Sequence, residues 1–316
     1  DFWRDYQAIA PATIKMVSDI AQLGSGGAVG SDVSKWAQSA IDGLESEKSP
    51  ESRRLAGELA EIRDDPNASA LTTLGFLIAH PSLAASGAIQ SMGSLLVAGG
   101  IGGGITKAGM GVLARTAPAA ARSTIPAVQA ELAVLRAKLA TSGAVGAEAT
   151  MGAGGVFADL EGQSVSDRYN GAALTAGGYI LSGRVFRGGA AGAIARGPGG
   201  GASKIAVAKE FGRVVGEGTG TEFLQTFSES AGKALGKQQA LDINRALKES
   251  VEGAASGAFM GAAAGGMNAA PANASHAQMP VPGPARTTKG PPSCMTAAFW
   301  AWLRPSSRSG IGSFVR

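Results

Sequence analysis

A row of four glycines spaced four residues apart is the feature that most restricts how this chain can fold. The row, Gly253, Gly257, Gly261 and Gly265, lies in the segment "VEGAASGAFMGAAAGG" at residues 251–266. On an α-helix this spacing places the four glycines on one face, where no side chain keeps a neighbouring helix away. The row therefore predicts close packing against a partner helix in the same chain, in a second copy or in a bilayer.

A second row has the same spacing, and it consists of Gly212, Gly216 and Gly220. Glycine makes up 48 of the 316 residues and aromatic residues only 5%, where glycine is usually about 7% of a chain. Helices rich in glycine and alanine pack through backbone and methyl groups, and no segment shows the sustained alternation of a strand. We therefore expect an all-α fold, an extended Ala/Gly-rich helical bundle of the glycine-zipper type that assembles into an oligomer.

A long segment without charged side chains follows the first 65 residues. From Pro66 to Thr106 there is no Asp, Glu, Lys or Arg, and about 20 apolar residues suffice to cross a bilayer as a helix. The segment could therefore form one crossing, or a helical hairpin bent at "HPS". Serines and seven glycines dilute residues 83–106, so a buried helix pair in water and conditional insertion remain open. The residues predicted to contact a membrane are Leu83, Leu95, Leu96, Val97 and Ile101.

Composition divides the chain into four segments. Residues 1–65 are predicted to form soluble helices, 66–127 a charge-poor helical hairpin that could insert into a membrane, and 128–267 an Ala/Gly-rich helical region with the glycine rows. Residues 268–316 are rich in proline and are predicted to form a disordered tail. After Glu252 the chain has no acidic residue and five basic ones, whereas its total formal charge is +4. The positive charge is thus concentrated towards the tail.

Enzyme motifs are missing from the sequence. His80 and His276 are far apart and Cys294 is the one cysteine, which does not suit a zinc site or a Cys–His nucleophile pair. The segment "GPGGGASK" places Ser203 before Lys204, whereas a phosphate-binding loop has the lysine first. We therefore expect no catalytic residue, no metal and no cofactor.

Three segments together resemble the internal virion proteins of short-tailed bacteriophages, which are DNA-ejection or pilot proteins. They are "ALTTLGFLIAHPSLAASGAIQSMGSLLVAGG", "GEGTGTEFLQTFSESAG" and "EGAASGAFMGAAAGG", and the resemblance extends over residues 66–267. Most of it lies in the middle segment and the Gly/Ala helix that follows. The residues that carry the middle segment are Glu217, Gly218, Glu222, Phe223 and Gln225.

The resemblance implies a protein that is stored inside the virion and reassembles in the host cell envelope, across the periplasm and inner membrane, as part of a conduit for the genome. Its implied partners are further copies of itself, other ejection proteins, portal or tail components, the envelope membrane, and phage double-stranded DNA contacted without sequence specificity. Charge-poor helices with glycine faces suit reassembly against lipid. Two alternatives remain: a structural core or scaffold protein that stays in the virion, and an effector that inserts conditionally into membranes.

Overall fold

Helices are the regular secondary structure throughout the part of the chain that the computed structural model describes. The structure describes residues 1–186, 189 and 204–274, and the surroundings of all their side chains except those at 95, 96, 204–210 and 265–274. Within these residues no strand is present, which confirms the all-α prediction. The helices are α1 (Phe2–Ser25), α2 (Ser31–Ser46), α3 (Pro50–Asp64), α4 (Ala70–Ala79), α5 (Pro81–Thr116), α6 (Pro118–Ala121), α7 (Pro126–Asp159), α8 (Val165–Val185), α9 (Lys204–Gly236) and α10 (Ile243–Ala274).

Capping residues explain where several of these helices begin. The Ser49 side chain accepts a hydrogen bond from the backbone N–H of Ser52, and Pro50 occupies the first turn of α3. Ser69 and Thr72 form a reciprocal capping box at the start of α4, and Ser164 caps α8 by accepting from Asp167. Such caps satisfy backbone N–H groups that have no partner within the helix.

The helix break at His80 lies at the "HPS" segment. His80 ends α4 and Pro81 begins α5, because proline fits the first turn of a helix but not its interior. α4 has 10 residues, which is too short to cross a bilayer, whereas α5 has 36 and continues past the charge-free segment through Lys107 to Thr116. The long apolar helix is therefore α5 alone.

Residues Asp1–His276 form one unit, to which the predicted segments 1–65, 66–127 and 128–267 all contribute helices. α7 packs against α1, α5 and α8, while α9 packs between α8 and α10. α10 returns to contact α4 and α5. The helices α5, α7, α9 and α10 therefore form the centre of the bundle.

Small side chains fill most of the core. The largest buried cluster consists of five alanines with Met151, Val214 and Met260. A second cluster places Phe157 between Ala153 and Ala172. Because alanine adds only a methyl group to each contact, the helix backbones must approach closely to exclude water.

The described chain differs from the sequence analysis at the start of the predicted tail. α10 runs to Ala274, seven residues into the segment 268–316. Four of those seven residues are alanine, which has the highest helix propensity, and this composition offsets the effect of Pro271. The predicted disorder of residues 275–316 lies outside the described residues.

Candidate functional site: a glycine-packed helix pair and an apolar helix

The glycine row of α10 packs directly on α9. A methyl group added to Gly257 would lie 2.5 Å from the carbonyl oxygen of Gly218, and one added to Gly261 would lie 2.7 Å from the carbonyl oxygen of Val214. A methyl group on Gly253 would overlap Thr226. Side chains larger than hydrogen at these positions would push the two helices apart. The partner of these three glycines in the structure is therefore α9 of the same chain.

The second row lies in different surroundings. Gly212 and Gly216 are exposed, and no neighbour among the described residues lies within 4 Å of the position that a methyl group would take on either of them. Gly220 faces the ring of Phe186 instead. Gly265 is helical, but its surroundings lie outside the described residues. Oligomerisation through either row stays a prediction.

Three glutamates, which we call the acidic cluster, lie beside the two helices α9 and α10 that pack through glycine. Glu222 and Glu229 are on α9 and Glu148 is on α7, which puts all three on helices that are otherwise rich in small residues. The stem of Glu222 packs on α10, where its Cγ would lie 2.6 Å from a methyl group on Gly257. Because Gly257 has no side chain, the stem of Glu222 can occupy the space beside it.

The environment of these carboxyl groups favours their protonated forms. Burial, together with the charges of the neighbouring Glu148 and Glu229, raises the pKa of Glu222 to about 8. Burial also raises the pKa of Glu148 to about 7, although the hydrogen bond from Gln225 Nε2 to Glu148 Oε2 (3.0 Å) opposes this. Several carboxylates in one desolvated region cannot all ionise without cost. Glu148 and Glu222 therefore titrate near neutral pH.

Tyr179 and Arg63 are polar partners of two of the glutamates whose pKa is raised. Tyr179 donates a hydrogen bond to Glu229, and burial, followed by the charge of Glu229, raises the pKa of the Tyr179 hydroxyl well above its usual value. On α10, burial raises the pKa of Glu252 to about 7 against the opposing effect of Arg63. Arg63 Nη1 lies 3.8 Å from Glu252 Oε2, which is a long ion pair.

A polar network attaches the first turns of α5 to the bundle. Lys48 Nζ lies 2.6 Å from Asp5 Oδ1 and 2.7 Å from Glu45 Oε1, and the side chains of Lys48 and Asp5 are buried. From α5, Ser86 Oγ donates to Asp5 (2.7 Å) and Gln90 Nε2 donates to Glu45 (2.6 Å). Burial acts to raise the pKa of Asp5, but the hydrogen bonds from Lys48, Ser86 and Gln90 outweigh it and lower that pKa.

α5 is the one described helix that is long and apolar enough to cross a membrane, a judgement that rests on length and composition. Of its most apolar 18-residue stretch, 25% is buried within the bundle. The core helices of soluble proteins can have the same length and composition, but they are mostly buried. Along α5 the described side chains of residues 83–99 are buried or half-buried, and exposed residues begin at Gly100.

The predicted membrane-contact residues of α5 are not on one surface. Leu83 is partly buried, Val97 packs against the alanine-rich cluster, and Ile101 is exposed. The side-chain surroundings of Leu95 and Leu96 lie outside the described residues. In the folded bundle, Val97 therefore faces protein and Ile101 faces the surroundings.

No group of three or more His, Cys, Asp or Glu side chains suited to a metal ion occurs among the described residues. The acidic cluster thus has hydrogen-bonding and proton-binding capacity without the geometry of a metal site. Sequence reasoning missed Glu148, Glu229 and Lys48. Glu148 and Glu229 each lie in a helix among largely small residues, whereas Lys48 lies in the charged segment between α2 and α3. Glu222 was named only for the resemblance, and its raised pKa was not foreseen.

Comparison with known proteins gives no family model that matches the chain, no matching curated protein and no matching solved structure.

Proposed function

We propose that the chain is a DNA-ejection protein of a short-tailed bacteriophage. In this proposal it is stored in the virion with α5 packed on the bundle, and α5 enters the host envelope when the protein reassembles as part of a conduit for the genome. The observation that carries the proposal is the length and composition of α5, a 36-residue helix that is apolar enough to cross a membrane and of whose most apolar stretch 25% is buried.

The packing of the bundle supports this proposal. Its helices are held by alanine and glycine contacts rather than by interlocking large side chains, so each contact contributes a small amount of burial energy. Helices whose contacts are small and whose faces are smooth can exchange one partner for another of similar shape. The same glycine faces that pack in water can pack in a bilayer, where small residues also allow close approach of helices.

The proposal is tested first by insertion of the purified chain into vesicles. Leu95→Lys places a charge near the middle of the apolar stretch, which costs about 3 kcal/mol on insertion scales. We expect this variant to lose carbonate-resistant association with vesicles. Val33→Lys, a change at an exposed position of α2, is the matched control and should insert like the parent. Equal insertion by Leu95→Lys and the parent would exclude α5 as the spanning helix.

The second test concerns location. A DNA-ejection protein should be found inside purified virions of the phage that encodes it and in the host envelope after infection. Presence in the virion together with absence from the envelope would favour the alternative of a core or scaffold protein. The contacts of α5 with α1, α7 and α10 in the closed bundle are the observation that favours this alternative. Membrane insertion by a protein absent from virions would instead indicate an effector.

A further inference from the structure

The turn between α5 and α7 forms a basic arm, defined here as residues 107–138. It contains the end of α5, the short helix α6 and the beginning of α7. Its basic residues are Lys107, Arg115, Arg122, Arg136 and Lys138, and its one acidic residue is Glu131. The arm therefore has a formal charge of +4, which equals the formal charge of the whole chain.

The arm is covered by little of the bundle. Leu132 is the one buried residue between positions 107 and 138, all of which the structure describes. The two helical halves pair with each other, since a methyl group on Gly109 would lie 2.7 Å from Leu139 Cδ1. The arm is thus a helical hairpin whose outer surface has no partner within the described chain.

The five cations of the arm are all exposed, and none of them forms an ion pair with another described residue. Cations elsewhere are commonly paired: Lys35 with Glu161 (3.0 Å), Lys233 with Asp159 (2.8 Å), and Arg54 with Glu58. The charge of the arm is therefore available to an external anion.

Apolar side chains are exposed among these cations. Val112 is 56% exposed, Ile125 60% and Val134 55%. Exposed apolar side chains gain nothing from the phosphate backbone of a nucleic acid, whose binding is dominated by cations. They do gain from the boundary between lipid headgroups and acyl chains, where apolar residues are buried while long basic side chains reach the headgroups.

We propose that the basic arm docks on the surface of an anionic phospholipid bilayer. Arg115 and Arg122, on either side of α6, would contact headgroup phosphates, and Ile125 would enter the interface beside them. This inference deepens the proposed function and rests on it for the identity of the membrane. The binding itself is measured with vesicles alone.

The test compares two variants of the full chain that lose the same charge. The arm variant is Lys107→Gln, Arg115→Gln and Arg122→Gln, and the control is Lys35→Gln, Arg54→Gln and Lys237→Gln, three exposed positions outside the arm. Glutamine keeps helix propensity close to that of the original residues. Both variants should retain the helicity and melting temperature of the parent, since the changed side chains are exposed.

Binding is measured by co-sedimentation with vesicles of phosphatidylglycerol and phosphatidylcholine in equal parts. Each cation near an anionic surface contributes roughly fivefold in affinity, so the arm variant should bind roughly a hundredfold more weakly. The control should stay within about threefold of the parent, because its cations lie away from the docking surface. Equal losses in the two variants would show that bulk charge or the tail carries binding, and would overturn the proposal.

A second pair of measurements distinguishes lipid from nucleic acid. Ile125→Ser with Val134→Ser removes apolar contact without changing charge, and should weaken vesicle binding at least about tenfold. Binding of the same variant to double-stranded DNA should not change. Unchanged vesicle binding by this variant, together with loss of DNA binding by the arm variant, would identify the arm as a nucleic-acid surface and overturn the proposal.

The outcome is separable from that of the proposed function. Failure of Leu95→Lys to affect insertion would remove α5 as the spanning helix and leave the vesicle affinities of the arm variants unchanged. Failure of the arm variant to weaken vesicle binding would remove the docking surface and leave insertion by α5 intact.

Discussion

Two glycine pairs with the same four-residue spacing have opposite surroundings: Gly257 and Gly261, which we call the packed row, and Gly212 and Gly216, which we call the open row. On α10, Gly257 and Gly261 leave no room for a methyl group against α9. On α9, Gly212 and Gly216 have open space on the side where a methyl group would point. A four-residue glycine spacing therefore identifies a face of a helix, and the occupant of that face depends on where the neighbouring helices run.

Along the single helix α5, some glycines are closely packed and others have open space beside them. A methyl group on Gly102 would lie 2.5 Å from the carbonyl oxygen of Ala140, and one on Gly93 would lie 3.3 Å from the carbonyl oxygen of Ile9. Gly100 and Gly104 have nothing within 4 Å of that position. Glycine is required where α5 meets α1 and α7, whereas on its other side the same residue type costs helix stability without a contact in return.

The largest effect is expected from filling the packed row. Gly257→Leu with Gly261→Leu must separate α10 from α9, because each new side chain would overlap backbone atoms. Overpacking costs about 1–3 kcal/mol at each position, so we expect a loss of roughly 2–6 kcal/mol and a much lower melting temperature. Thermal unfolding followed by circular dichroism measures this loss.

The control for this variant is the same change in the open row. For Gly212→Leu with Gly216→Leu, the first side-chain atom at each position meets no described neighbour within 4 Å, so this variant should change the melting temperature little. Native mass spectrometry measures the oligomeric state of both variants. If the open row is an interface between copies, the variant with Gly212→Leu and Gly216→Leu should become monomeric while it stays folded. The packed-row variant should instead unfold. A control that unfolds as readily as the packed-row variant would contradict the difference between the rows.

Much of the fold could be predicted from the sequence. Glycine spacing, apolar content and the proline after His80 indicated helices, the packed face of α10 and the beginning of α5. The partner of the glycine row could not be predicted, because spacing is identical whether the neighbour is α9, a second copy or a lipid-embedded helix. The acidic cluster was also inaccessible, since Glu148 and Glu222 are 74 positions apart and come together only through the packing of α7 and α9.

An intermediate loss of folding stability is expected when the pH is raised. The pKa of Glu222 lies at about 8 in the folded chain, above the usual value of about 4.3 for glutamate in an unfolded chain. The folded state therefore binds more protons between these pH values, and stability falls as pH rises from about 4 through 8. We expect a loss of a few kcal/mol between pH 5 and pH 9, measured by urea unfolding.

Glu222→Gln should reduce this dependence without abolishing it, because the amide stays neutral at both pH values while Glu148 and Glu252, whose pKa values are raised to about 7, still ionise. Glu131→Gln, at an exposed position of the basic arm, is the matched control and should retain the full dependence. A parent chain that is equally stable at pH 5 and pH 9 would show that Glu222 ionises without cost, and that water reaches the space beside Gly257.

The smallest effect is expected from adding single methyl groups to the open row. Gly212 and Gly216 lie within α9, and alanine is favoured over glycine in a helix by up to about 1 kcal/mol because the unfolded chain then has less freedom to lose. Gly212→Ala and Gly216→Ala should each raise the free energy of unfolding by up to about that amount. Gly257→Ala has the same intrinsic gain, but its methyl group would lie 2.5 Å from the carbonyl oxygen of Gly218, so its net effect should be a loss. Urea unfolding of the three single variants compares the signs directly, and a loss of stability at Gly212 or Gly216 would mean that the open row has a partner in solution.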